Sequence, residues 1–224
     1  ALHAADVTAS LYYFLQQPAL ARHTSPLDML AALLAAVVHD LGHPGVNNPF
    51  LETTRDALSV TYNDSSVLEN HHISTAFTLL AHDECNWAEA LSEDQYRDLR
   101  ETMIGMVLGT DMKAHFEHLT KFKSKLAGDG FKAEHVERKD SRLLLTVALH
   151  AADIANPSKP QPIATAWARR SMELAPGHEG YELHPDLDVR ERDLLSVKTR
   201  FSAFIQGSSD LHSQLQARGI DTLL

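Results

Sequence analysis

His39 and Asp40 stand side by side at the end of an apolar run, Leu27 to Val38, and His43 follows four residues after His39. Pro44 and Gly45 then close the run. An imidazole and a carboxylate are both costly to desolvate, and a bound divalent cation offsets that cost. Spacings of one and four place His39 and His43 on one helical face with Asp40 beside them. Two other stretches carry matching groups: His3 within Leu2 to Val7, and Asp153 within Leu149 to Pro157. The chemistry these types point to is metal-dependent hydrolysis at a point where three helices meet. Imidazole nitrogen and carboxylate oxygen suit Zn²⁺, and oxygen-rich, watery coordination suits Mg²⁺ or Mn²⁺. A set of two His and two Asp leaves room for a second ion, and paired ions activate water and clamp a phosphoryl group. Glu69, with Asn70 and His72 beside it, reads as an outer group holding metal-bound waters. It reads equally as the carboxylate of a capping box opened by Ser66.

Fourteen histidines in 224 residues place several near carboxylates by chance. A lone buried His is more often a satisfied core group than a ligand. His82, His115, His118, His135, His178 and His212 take that reading, on solvated faces or loops. Three polar groups at the end of the most apolar helix do not pack away so simply.

The elements that must position these groups are helical. Ser25-Pro26 is a cap-plus-proline start, and apolar residues then fill nearly every face through Val38, which predicts a helix at the centre of the fold. Further helices are expected over Pro49 to Leu58, Ser66 to Leu80, Ser92 to Leu108, Lys113 to Leu126, Arg142 to Ala152, Pro162 to Leu174 and Val189 to Ile205. Gly128 to Gly130 and Pro176 to Pro185 read as loops. No β alternation, internal repeat or low-complexity tract is present. The expected fold is all-α, a compact multi-helix bundle, with residues 1–224 as one domain and 207–224 an unassigned tail.

Thirty acidic against twenty basic residues give a net charge of −10, which argues against a general nucleic-acid or anionic-membrane binder. Small phosphate ligands stay open, because bound metals reverse the local sign. One cysteine, Cys85, rules out an internal disulfide and points to a reducing, cytoplasmic compartment. The Asn63-Asp64-Ser65 sequon would be idle there. No apolar run is long enough for a membrane span. The first residues are already helical in pattern and no Met opens the chain, so upstream sequence is expected.

Taken in order, these blocks resemble the class I 3′,5′-cyclic nucleotide phosphodiesterases, a family with a His-Asp (HD-type) metal site on an all-helical catalytic domain. His3-Ala4-Ala5-Asp6-Val7 is similar to the second half of the family's first signature, and His39 to Asn48 to its second. Tyr62 to His72, Leu108 to Met112, and Ala151 to Pro157 resemble the later blocks, so the similarity covers residues 2 to 205. The resemblance implies His3, His39, Asp40 and Asp153 as ligands of a tightly held Zn²⁺. Asp40 would bridge to a second ion, Mg²⁺ or Mn²⁺. It implies that His43, Glu69, His72 and Thr110 orient the waters of that ion, with His43 and Glu69 closest to the catalytic step. Asn156 would lie near the purine, Trp167 in the pocket wall and Met112 toward its mouth. The reaction would open the 3′ ester of a cyclic nucleotide to a nucleoside 5′-monophosphate. Regulatory domains or a second copy of the chain are the implied partners.

Three departures from the family pattern bear on specificity. The proton-donor His of the family lies four residues before the position of His3, upstream of residue 1. The family's pocket Gln and clamp Phe align with Lys198 and Phe201. An ammonium only donates, so Lys198 could reach a guanine O6 but not an adenine amino group, which leans the expected preference toward cGMP. Ala168 and Ser171 stand where the family has bulkier or more apolar residues, which weakens purine burial. An active phosphodiesterase with altered purine recognition and a weakened module acting as a nucleotide-binding or structural scaffold both remain open. A nucleotidase or other phosphohydrolase of the HD type shares the His-Asp core but gives no reason for Asn63 to Ser66.

Overall fold

The computed structural model describes residues 1–128, 131 and 136–171, with side chains to 168. It divides into a unit spanning Ala1–Trp167 and a second spanning Ala168–Leu224. The expected helix over Val189 to Ile205, the tail 207–224, and both Lys198 and Phe201 lie outside the described residues. The described residues are helical and contain no strand: α1 (Leu2–Leu15), α2 (Pro18–Ala21), α3 (Pro26–Val38), α4 (Asn48–Thr54), α5 (Ala57–Tyr62), α6 (Val67–Leu80), α7 (Glu93–Leu108), α8 (His115–Ala127), α9 (Arg138–Asp153) and α10 (Gln161–Ser171). The fold is all-α, as the sequence predicts.

Helix α3 organises the first unit. Ser25 accepts from the Asp28 N–H while the Asp28 carboxylate accepts from the Ser25 N–H, a complete capping box with Pro26 in the first turn. Ala31, Ala32, Ala35 and Ala36 are all fully buried. Four small side chains on one helix let α1 and α7 approach it closely, and the larger core residues come from those partners. Val7, Leu11 and Leu15 of α1, Leu99, Met103, Met106 and Val107 of α7, and Leu145, Leu149 and Ala152 of α9 form one cluster around the alanines. Each buried Leu there contributes about 1.5–3 kcal/mol of apolar transfer. The helix is not buried all round, however: Leu30 and Val37 are exposed. Leu33 and Val37 line a groove of about 1080 Å³ shared with Ala4, Thr8 and Tyr12 of α1, and the groove ends on His3 and Asp40.

Arg138 fastens the opposite end of the bundle. It makes a forked bond to Asp98 of α7 at 2.7 and 2.8 Å, donates to Thr102 at 3.0 Å, and pairs with the buried Asp28 of α3. The planar guanidinium suits this, because one group can reach two carboxylates on different helices.

Several boundaries differ from the sequence reading. The expected helix from Pro49 to Leu58 is two, because Arg55 takes a left-handed conformation with φ of 55° and Asp56 caps a new start by accepting from the Leu58 N–H. Ser66 does not cap α6: its φ is 41°, and its hydroxyl donates to Asp111 instead. The segment from Lys113 opens as a short 3₁₀ turn, Met112–Ala114, before α8 begins. Helix α9 starts four residues earlier than the apolar pattern, at Arg138, where charged residues still follow helical spacing.

Close approach of α7 and α9 depends on Gly109. A Cβ there would sit 2.2 Å from Thr146 Cγ2 and 3.1 Å from the Gly105 carbonyl oxygen. Gly109→Ala is expected to lower stability by about 1–3 kcal/mol through overpacking. Adding Thr146→Ser, which removes Cγ2 and keeps the hydroxyl bonded to the Arg142 carbonyl, should recover much of the loss. Urea midpoints of the two variants would check this; equal midpoints would show that the clash relaxes elsewhere.

Candidate metal centre

Three helix ends deliver the polar groups. His3 lies in the first turn of α1, His39 caps the C-terminus of α3, and Asp153 is the last residue of α9. Asp40 follows His39 directly. His3 Nε2 lies 2.9 Å from Asp153 Oδ1 and 3.3 Å from His39 Nε2. His39 Nε2 lies 3.3 Å from Asp153 Oδ1, and both imidazole nitrogens lie 3.6 Å from Asp40 Oδ2. Donor atoms at metal bonds of about 2.0–2.1 Å are separated by about 3.3 Å in a tetrahedron and slightly less in an octahedron. His3 Nε2, His39 Nε2 and Asp153 Oδ1 stand 2.9–3.3 Å from one another, close to that range, and Asp40 Oδ2 stands farther off, 3.6 Å from each ring nitrogen. One ligand atom each from His3, His39 and Asp40 lie within 4.8 Å of one another, close enough to hold one divalent cation.

The tautomers favour the same arrangement. His39 Nδ1 lies 2.8 Å from the Ala36 carbonyl oxygen, which only accepts, so Nδ1 carries a proton and Nε2 faces the cluster. Burial alone would lower the His39 pKa, but the Asp153 hydrogen bond and the charges of Asp40 and Asp153 outweigh it, and the net shift is upward from 6.5. Burial would raise the Asp153 pKa, yet bonds from His3 and His39 hold its carboxyl well below the usual carboxylate range.

Asp40 also belongs to a second group. One ligand atom each from Asp40, His43 and His72 lie within 4.8 Å of one another. His72 is buried, its Nδ1 lies 2.8 Å from the Leu41 carbonyl oxygen, and its Nε2 lies 3.9 Å from Asp40 Oδ1. Burial pushes the His72 pKa down to about 4, so the ring is neutral at pH 7. His43 stacks on His72 with ring centroids 5.5 Å apart, and its Nδ1 accepts from the Gly45 N–H at 2.9 Å. In that neutral form Nε2 carries the proton and can donate it. His43 does not share a helical face with His39, as its spacing had suggested. The helix ends at Val38, and Gly42, with φ of 72°, reverses the chain before His43.

Glu69 is held by a residue to which the sequence reading gave no role. The buried Asn48 amide donates to Glu69 Oε2 at 3.0 Å, while its carbonyl accepts from the Leu68 N–H at 2.9 Å. Burial raises the Glu69 pKa, opposed by the Asn48 bond. Asn48 entered the sequence reading as the last residue of the His39 to Asn48 block that resembles the family's second signature, with no role assigned to it. Asn70 faces away from the cluster, donating to the Ser65 and Ser66 carbonyls.

Of the remaining expected residues, Trp167 packs edge-on against His3 with centroids 5.7 Å apart. Asn156 has a buried Oδ1 with no hydrogen-bond partner among the described residues. Met112 is exposed, and Thr110 spends its hydroxyl on the Val107 carbonyl at 2.7 Å. His115, expected on a solvated face, is half-buried, with its Nδ1 2.8 Å from Nε2 of the buried His150 between α8 and α9. His118 is half-buried beside them, while His82 is exposed as read. Cys85 is exposed and free, and among the described residues no helix is long and apolar enough to cross a membrane.

Comparison with known proteins converges on one family. A family model described as 3′5′-cyclic nucleotide phosphodiesterase matches residues 1–186. The 3′,5′-cyclic-nucleotide phosphodiesterase regA of Dictyostelium discoideum is 35% identical over 91% of this chain and 26% of its own length. The human dual specificity calcium/calmodulin-dependent 3′,5′-cyclic nucleotide phosphodiesterase 1B is 39% identical over 77% of this chain and 31% of its own. The crystal structure of the phosphodiesterase domain of the RhoPDE fusion protein from the choanoflagellate Salpingoeca rosetta superposes with a TM-score of 0.72 at 37% identity, over 76% of this chain and 54% of that one. The chain thus spans about a quarter to a third of these curated relatives and about half of the solved domain. With its residues 1–186 matched and its helical fold shared, the chain belongs to the 3′,5′-cyclic nucleotide phosphodiesterase family.

Proposed function

We propose that this chain carries the metal centre of an enzyme that hydrolyses 3′,5′-cyclic nucleotides to nucleoside 5′-monophosphates. The observation that supports it most is the convergence of His3, His39, Asp40 and Asp153, whose facing nitrogen and oxygen atoms stand 2.9–3.6 Å apart around the two imidazoles. Membership of the family implies dependence on divalent metals. In this reading those four residues would hold Zn²⁺, and Asp40, His43 and His72 would flank Mg²⁺ or Mn²⁺, with Glu69 and the lone pairs of the Thr110 hydroxyl oxygen open to water. Cations there supply Lewis acidity, making water nucleophilic near neutral pH and neutralising phosphoryl charge.

The chain's own residues do the rest. The Ala36 and Leu41 carbonyls fix the His39 and His72 rings so that each presents Nε2 inward. Burial keeps His72 uncharged, so it does not compete with a cation for Asp40. Asn48 fixes the direction of Glu69, whose raised pKa suits a group that shares protons with water. His43, held by Gly45, offers an Nε2 proton at the solvent side. Trp167 closes one edge at His3, and Asn156, with an unspent buried carbonyl oxygen, is suited to a base amino group. The family resemblance assigns Met112, Lys198 and Phe201 to purine recognition, and the donor-only ammonium of Lys198 leans that assignment to cGMP. Relatives named for dual specificity and for cyclic AMP support the substrate class. The relatives' greater length supports regulatory domains outside this chain, and the lone exposed cysteine supports a cytoplasmic setting.

Hydrolysis of cAMP and cGMP by the full-length protein with Mg²⁺ tests the reading directly. Asp153→Ala is expected to abolish turnover and to release the tightly held metal, measured by elemental analysis. Unchanged metal content in that variant would remove Asp153 from the ligand set. A protein that keeps its metal yet turns over neither nucleotide would favour the scaffold role.

The His39 pKa sets a pH dependence for metal binding. A proton on His39 must leave before Nε2 can ligate, and Asp153 holds that proton beyond 6.5. Zinc affinity of the metal-free chain should therefore start to fall while the pH is still above 6.5, by up to about tenfold per pH unit for the one proton. Asp153→Asn, which removes the charge that holds this proton, should move the onset to lower pH. A competition titration with a chromophoric chelator across pH 5–9 (a range of about four units) reads both; an unmoved onset would separate His39 from Asp153.

A further inference from the structure

We infer that Lys159 and Asp6 form a positioning pair that sets the distance between His3 and Asp153, an inference that rests on the metal-centre reading above. Asp6 lies one turn after His3 on α1, so both side chains leave the same face of that helix. Lys159 lies six residues after Asp153, just past the 3₁₀ turn Asn156–Ser158 that follows α9. The Lys159 ammonium pairs with Asp6 Oδ2, across 153 residues of sequence. Beside it, His3 meets Asp153 at 2.9 Å, across 150 residues. The two contacts are rungs between the same pair of segments. One of them, His3 to Asp153, consists of groups that a cation would draw together; the other involves none of those groups and holds in register whatever occupies the site.

The pair is well placed for this. Its side chains are 14% and 24% exposed, and Lys159 is the least exposed lysine or arginine in the ion pairs among the described residues. Removing one partner from so shielded a pair leaves a charge without compensation, and the backbone must shift to bring water in. The turn between Asp153 and Lys159 also carries Asn156. Releasing Lys159 therefore frees the Asp153 side of the centre and the Asn156 turn together. A point cation on a flexible stem is sufficient for such a tether, so arginine can replace it in charge.

The test uses the full chain, stripped of metal, with Zn²⁺ affinity read by chelator competition and folding read by thermal midpoint. Lys159→Met and Asp6→Asn are each expected to weaken Zn²⁺ binding about 10–100-fold, the range for groups that orient ligands. Lys159→Arg should stay close to the parent, and the double variant should be no worse than either single one. Lys125→Met, which breaks the Lys125–Asp140 pair between α8 and α9 (2.7 Å), serves as the control: it should lower the midpoint and leave Zn²⁺ affinity alone. An unchanged Zn²⁺ affinity in folded Lys159→Met would overturn the inference. So would unfolding of both Lys159→Arg and Asp6→Asn, which would make the pair a general stability element. Where turnover is measurable, Lys159→Met should also raise KM more than it lowers kcat. A parent chain that binds Zn²⁺ but hydrolyses neither cyclic nucleotide would count against the proposed function while leaving the Zn²⁺ comparison decisive for the pair.

Discussion

Two imidazoles and two carboxylates face one another at the ends of α1, α3 and α9, with His39 buried, His3 and Asp153 half-buried and Asp40 open to water. Such a cluster is tolerable only if charge and hydrogen bonding compensate each member. The fold meets that condition in steps. Backbone carbonyls at Ala36 and Leu41 take the outer ring protons of His39 and His72, and Asp153 is bonded by both His3 and His39. The geometry that results is demanding, since a shift of an ångström in any helix end would leave one group unpaired. Most features of the bundle can be understood as ways of preventing that shift.

Packing supplies the first of these. Alanines at 31, 32, 35 and 36 give α3 a smooth face on which α1 and α7 seat, so the C-terminus of α3 emerges at a fixed distance from the start of α1. Gly109 does the same between α7 and α9, where there is no room for a methyl group. Electrostatics supplies the second. Arg138 binds Asp28 and Asp98 at one end of α9, and the other end carries Asp153. A helix fixed at its far end by a forked guanidinium has little freedom to slide at its near end.

Sequence and structure agree where local chemistry decides the outcome. Ser25-Pro26 and Ser92 announce helix starts because caps act within four residues, and both are found with full capping boxes. The His-Asp adjacency at 39 and 40 was readable because it contradicts its apolar setting. Disagreements arise where a residue leaves ordinary backbone space. Arg55, Asn63, Asp64 and Ser66 all adopt positive φ without being glycine, so the stretch before α6 bends in ways that periodicity does not encode. Ser66 looked like a cap and is a turn residue bound to Asp111. Contacts such as Asn48 with Glu69, His115 with His150, and Asp6 with Lys159 join segments far apart in the chain, and no local pattern announces them.

The separation of 150 residues between His3 and Asp153 has a kinetic consequence. Neighbouring helices such as α5 and α6 can meet after closing short loops, whereas the joining of α1 to the end of α9 closes nearly the whole described chain. The entropy of that closure grows only slowly with length, but contacts of such long range are gained late in folding. The cluster of His3, His39 and Asp153 is then a finishing step: it comes into being when the first helix docks, and it is dismantled when that helix leaves. Detachment of α1 alone would withdraw His3 while the associations of α3 with α7 and of α6 with α7 persist, so in the proposed reading loss of the metal would report partial opening well before the bundle itself comes apart.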